Sequence, residues 1–320
     1  MRLPFASEGT EGTEGTEGTE GTEGTEGTEG TSGIAAYAGD RTSTVLANGL
    51  LTTHGELTRG YSGDISNPNL TIAPPLDPNV ALGRWSRRVR AQLYTFELVS
   101  GLSLNPATAT LSGNSGWSVK VPAPDYETTA AKLKAALQKV FDMAALRADR
   151  LNEILTQLSV PYSYFAMLLN LQPGRHRFTY ELMSAALILS GIAVMQFKHH
   201  YRVRRPADHS PLVQPVILTP SHGAYPAGHS SQANVLVTVL NDMVGTKLGG
   251  DLATQLQALA DRISENRVVA GVHYEEDMSA GAALGKKLGA YFIQEAKISA
   301  TATPKSALEW LWKNAAAEWS

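Results

Sequence analysis

The sequence predicts an all-α protein. Apolar residues recur every three or four positions over several long segments, proline-rich stretches fall between those segments, and runs that alternate with a period of two are few. At 320 residues and 43% apolar composition the chain can bury a substantial core without staples.

Eight consecutive Glu-Gly-Thr triplets run from Glu8 to Thr31. They offer no apolar face to offset the entropy of ordering, so residues 1–33 are expected to be a disordered tail. Residues 34–78, rich in Gly, Thr, Asn and Pro, read as an extended arm or set of loops, and residues 79–320 as a helical catalytic domain. Within that domain the periodicity predicts helices over about 83–102, 128–160 and 177–203. The segment 207–228, with prolines at 211, 215, 220 and 226, forbids a continuous helix. Three more helices are expected over about 229–245, 251–270 and 272–296, followed by a Trp-bearing C-terminal end.

Composition narrows the function. The formal charge is −3, but outside the triplet repeat 22 acidic residues face 27 basic ones, so the folded part is mildly basic. With no long Lys/Arg stripe or interleaved aromatics, that charge suits a small anion rather than nucleic acid. The chain has no cysteine, which excludes disulfides and thiolate metal sites. The opening MRLPFAS lacks an apolar core of the kind a signal peptide carries, which predicts a soluble, cytoplasmic protein. The most apolar run, 182–197, falls about four residues short of a comfortable membrane span and reads as a buried helix.

Three blocks concentrate charge and imidazole. In KHHYRVRRP, Lys198 and Arg205 lie seven apart, two helical turns and therefore one face, with Pro206 closing the helix. In YPAGHSS, Gly228 permits close backbone approach and His229 opens a helix whose free amides favour an anion. In NRVVAGVHYEED, Arg267 precedes His273, and Asp277 follows four residues later, where it can accept the His273 Nδ1 hydrogen and leave Nε2 aimed outward. Fixed cations, bare amides and two imidazoles make a site for a tetrahedral oxyanion. Arg202 and Arg204 read as a solvated face. The adjacent His199 and His200 point to different sides of a helix and do not make a metal pair.

Lys-x6-Arg-Pro, Pro-Ala-Gly-His and Arg-x5-His-x3-Asp, in that order over residues 198–277, resemble the motifs of the superfamily that joins type 2 phosphatidic acid phosphatases, bacterial acid phosphatases and vanadium-dependent haloperoxidases. The resemblance implies a helical bundle of that type. It implies that Lys198, Arg205, Ala227, Gly228, His229, Arg267 and His273 bind vanadate or phosphate. Ala227 stands where family members usually carry Ser, and Asn266 where Ser is more usual.

Two chemistries follow from the resemblance. In a haloperoxidase, His273 is the axial vanadium ligand, His229 and Lys198 assist hydrogen peroxide, and a halide is oxidised. His222, seven before His229, resembles a histidine of the bromoperoxidase branch, and its other reading is a turn histidine. In a phosphatase, His273 attacks a phosphate monoester, His229 protonates the leaving alcohol, and Asp277 orients His273. Phosphate competes with or replaces vanadate, and neither haem nor nucleotide is called for. The resemblance further implies a homo-oligomer, and because the sequence lacks the several spanning helices that the membrane phosphatases need, it is not expected to span a membrane. A catalytically silent oxyanion-binding homologue is the third reading, supported by Ala227.

Overall fold

The computed structural model describes residues 74–158, 162–249 and 251–319. The tail expected over 1–33, and the arm expected over 34–78 except its last five residues, lie outside the described residues. Described residues up to Arg90 belong to one compact unit and Ala91 onward to another. In the first, Asp77 accepts the Asn79 amide at 2.9 Å and caps α1 (Pro78–Arg84), whose Pro at the first turn needs no amide partner. The single helix expected over 83–102 is interrupted there. Trp85 is extended (ψ 150°), and α2 (Arg87–Val99) starts afresh beyond it.

The second unit contains a small antiparallel sheet ordered β1 (Ser103–Asn105), β2 (Thr110–Ser112), β3 (Ser118–Lys120). Leu104 pairs with Leu111 and Leu111 with Val119, which makes one short apolar row that is buried at Leu111 and Val119 and half-buried at Leu104. Strands of three residues are too short to register as alternation, which is why the sequence pattern passed over them.

The segment read as one helix over 128–160 is two, α3 (Ala130–Met143) and α4 (Arg147–Thr156), separated by a 3₁₀ turn at Ala144–Leu146. Arg147 fixes that break. Its guanidinium donates to the carbonyls of Val269, Gln214 and Val213 at 2.8, 2.8 and 3.0 Å, which ties the start of α4 to the far loops. A short α5 (Tyr162–Leu168) follows, unforeseen in the sequence.

Helices α6 (Arg177–Tyr201), α8 (Gly228–Leu248), α9 (Asp251–Val269) and α10 (Glu275–Ala296) form the core, with α8 packed on the other three. Between α6 and α8 lie a single helical turn α7 (Pro206–His209) and the proline loop. The last helix, α11 (Ala307–Ala317), packs on α6 and α10 with Trp310 and Trp312 buried. Helix α10 begins at Glu275 rather than 272, so His273 sits in the connection ahead of it.

The α8–α10 crossing is unusually close, and its cause is a glycine row at a spacing of four. A Cβ at Gly281 would lie 2.4 Å from the Ala227 carbonyl oxygen, and one at Gly285 would lie 2.3 Å from the Ser231 carbonyl oxygen. Only glycine allows this approach, and it brings the start of α10, with Asp277, against the start of α8. Helix α6 and the turn after it are long and apolar enough to cross a membrane by length and composition, and 61% of that apolar window is buried inside the protein. Its partners in the protein bury it, as the reading of 182–197 as a core helix expected.

Candidate functional site

A cavity of about 290 Å³ opens where α6, the proline loop, α8 and the α9–α10 connection meet. Lys198, Arg205, His222, Gly228, His229, Arg267 and His273 line it, and Leu158, Val194, Met195 and Ile217 supply an apolar wall. Each charged group is held by its own local structure.

Lys198, on the last turn of α6, is 3% exposed and donates to the carbonyls of Gly223 and Ala224, both at 2.7 Å. Burial, and next the charge of Arg205, pull its ammonium well below the ordinary lysine range. Lys198 and Arg205 do not share a helix face as their spacing predicts: Arg202 ends α6 in the left-handed conformation, Arg205 is extended, and the turn between them brings its guanidinium back to the cavity. Arg205 donates through Nε to the His222 carbonyl at 3.1 Å and through Nη1 to the Val272 carbonyl at 2.8 Å. The same Nη1 lies 2.9 Å from His273 Nε2, and Nη2 lies 3.1 Å from His222 Nδ1. A guanidinium can only donate, so both imidazole nitrogens are acceptors.

That requirement fixes the His273 tautomer. With Nε2 unprotonated, the hydrogen sits on Nδ1 and is donated to Asp277 Oδ2 at 2.9 Å. Asp277 is fully buried and also accepts the Tyr274 amide at 3.0 Å and the Tyr126 hydroxyl at 2.6 Å. Burial raises its carboxyl above the ordinary range, while the Tyr126 and Tyr274 donors pull back toward the ionised form. For His273, burial first and then Arg205 hold the ring well below its usual value, so it is neutral at neutral pH.

Arg267, 1% exposed, donates through Nη2 to Gln157 Oε1 at 2.8 Å, while its Nε and Nη1 have no partner among the described residues. A buried guanidinium with two empty donors is costly unless an acceptor enters, and an oxyanion in the cavity is the acceptor this geometry fits. His229, in the first turn of α8, donates from Nε2 to the Gln157 carbonyl at 2.8 Å, which leaves Nδ1 as an acceptor. Burial, and next Arg267, bring it down to about 4.

Of the residues expected to bind an oxyanion, six meet at this cavity. Ala227 does not line it. Its amide donates to the Asp277 carbonyl at 2.9 Å, so its part is to hold α8 against α10. Arg202, Arg204 and His199 are exposed and line an adjoining cavity of about 560 Å³. Gln157 and Tyr126 were not foreseen. Asn266 donates to Glu153 at 2.9 Å and to Gln157 at 3.1 Å, so it steadies the amide that carries Arg267. No sequence signal marks Gln157 or Tyr126, because their partners in the site lie 72 or more positions away.

No protein-family model matches the chain, and no curated protein matches it. Among solved structures the chain is similar to a transmembrane PAP2-type phosphatidylglycerolphosphate phosphatase from Bacillus subtilis, at 20% identity and a TM-score of 0.42 over 53% of this chain and 90% of that one. It is also similar to a bacterial vanadium-dependent iodoperoxidase, at 20% identity and a TM-score of 0.43 over 55% of this chain and 53% of that one.

Proposed function

We propose that the cavity binds a tetrahedral oxyanion and that the protein, loaded with vanadate, is a haloperoxidase that oxidises bromide and iodide with hydrogen peroxide. The observation that carries the oxyanion reading is the pairing of two buried donors on Arg267, without a partner among the described residues, with a His273 whose tautomer leaves Nε2 unprotonated in the same cavity. The reading makes the chain a member of the phosphatase and haloperoxidase superfamily, on the strength of three motif blocks that converge on one cavity.

The residues present fit vanadate: His273 Nε2 would be its protein ligand, and Lys198, Arg205, Arg267 and the amides at the start of α8 would neutralise its oxygens. When bound, vanadate supplies a Lewis-acidic centre that activates hydrogen peroxide toward a halide. His229 Nδ1, unprotonated at neutral pH, accepts a proton from the entering peroxide. His222 stands at the exposed mouth with its ring fixed on Arg205, where it meets the halide. The apolar wall suits bromide and iodide, which shed water more readily than smaller anions, and the cations draw them in.

Hydrolysis of a phosphate monoester is the second reading, favoured by the unprotonated Nε2 of His273. In it His273 Nε2 bonds to phosphorus, the P–O ester bond breaks, and the leaving oxygen takes a proton from His229, whose pKa the bound dianion raises. Water then displaces His273, with His229 accepting its proton. Bromide and iodide oxidation by hydrogen peroxide, run after incubation with orthovanadate or with phosphate and alongside p-nitrophenyl phosphate hydrolysis, tests both. Halide oxidation that needs vanadate and is suppressed by phosphate supports the first reading. Hydrolysis inhibited by vanadate, without halide oxidation, replaces it with the second.

A further inference from the structure

All three acids that open α10 face one segment of the chain, residues 125–139. Glu275 pairs with Lys139. Glu276 accepts the backbone amides of Asp125 and Tyr126 at 2.7 and 3.3 Å, which clamps the 3₁₀ turn Asp125–Glu127 in place. Asp277 then receives the Tyr126 hydroxyl on Oδ1 at 2.6 Å. The Tyr126 side chain is 4% exposed, and its ring packs on Tyr274 with centroids 4.3 Å apart, so its hydroxyl has one fixed direction. Burial, and next the Asp277 charge, push the phenol far above its ordinary range, so it serves as a donor and nothing else.

We infer that Tyr126 is a positioning residue: by occupying Asp277 Oδ1 it holds Oδ2 on His273 Nδ1 and so keeps Nε2 aimed into the cavity. The reason is the division of labour within the carboxylate. Oδ2 takes His273 Nδ1 and the Tyr274 amide, while among the described residues Oδ1 has only Tyr126 as a hydrogen-bond donor. Remove that hydroxyl and Oδ1 becomes a buried acceptor without a partner, a strong drive for the carboxylate to turn about its soft terminal torsion. Any such turn draws Oδ2 off His273 and releases the imidazole. A tyrosine 151 positions from Asp277 thus acts on His273 through the aspartate.

The inference concerns the same site and rests on the oxyanion reading, so its test has one arm that needs no ligand. Tyr126→Phe keeps the ring and its packing on Tyr274 and removes only the donor. The His273 Nδ1 proton, hydrogen-bonded to a carboxylate, resonates far downfield in the proton NMR spectrum and is identified by its loss in His273→Gln. In Tyr126→Phe that resonance is expected to move or to broaden away by solvent exchange. Phosphate affinity by calorimetry is expected to fall about tenfold. In a double-mutant cycle the Tyr126→Phe and Asp277→Asn losses are expected to be strongly non-additive. An unchanged resonance, or additive losses, overturns the inference. Absence of phosphate binding by the wild type overturns the oxyanion reading instead, and the resonance still decides the role of Tyr126.

Discussion

Arg205 Nη1 stands 2.9 Å from His273 Nε2, so the lone pair available for ligation or attack is held by a guanidinium hydrogen. On the proposed function, an entering oxyanion would take over that hydrogen bond and gain the cation with it. Nε2 is thereby kept unprotonated and aimed until the anion arrives, which is preorganisation at little reorganisation cost.

The fork geometry of Arg205 is what allows this. It serves the His222 carbonyl, the Val272 carbonyl and two imidazoles at once. A lysine keeps the charge but cannot span these directions. Arg205→Lys is expected to weaken phosphate or vanadate binding by tenfold or more, as measured by calorimetry, with its thermal unfolding remaining cooperative. An affinity equal to that of the wild type would mean that charge alone matters at this position.

Acid should destabilise the protein through the imidazoles that the site holds neutral. The His229 value falls from 6.5 to about 4, and His273 is also depressed, so the unfolded chain binds more protons between these limits. Their contribution is complete above about pH 6.5 and is lost as pH falls through about 4. For His229 the shift corresponds to at most about 3 kcal/mol. Urea unfolding of His229→Gln should therefore lose less stability between pH 7 and pH 4 than the wild type does. An identical acid slope would show that this ring is not buried neutral.

The glycine row on α10 supports the site as much as the fold. A methyl group at Gly285 would meet the Ser231 carbonyl at 2.3 Å, backbone that cannot move aside without separating the two helices. Gly285→Ala is expected to cost about 1–3 kcal/mol in urea unfolding. Gly281→Ala, whose methyl group would press on the Ala227 carbonyl at 2.4 Å, should in addition weaken phosphate binding, because it displaces the first turn of α8. Unchanged stability in both variants would refute the close-packing account of this crossing.

Much of this was legible in the sequence, and the remainder fails for identifiable reasons. The long helices announced themselves by period, and His229, Arg267 and His273 by their motifs, whereas Lys198 and Arg205, placed on one helix face by their spacing, are separated by the left-handed end of α6 at Arg202 and meet only through the turn that follows. The breaks at Trp85 and at Ala144–Leu146 did not, because the apolar period continues across them while tertiary ties such as the Arg147 fork set the chain direction. Asp277, on sequence grounds an acid at a helix start, gains its meaning from His273 one turn before it and from Tyr126, which only the folded chain brings near. Gln157 is likewise invisible in one dimension. It holds Arg267 through its side chain and His229 through its carbonyl, yet sits in no motif.

The central claim is that the Arg267 and His273 cavity is an oxyanion site, and calorimetric titration of orthovanadate and phosphate into the wild type, Arg267→Ala and His273→Ala tests it most directly. The account predicts one binding site per chain in the wild type, competition between the two anions, and a loss of at least tenfold in each variant. Binding that survives both substitutions, or no binding by a folded wild type, would contradict it.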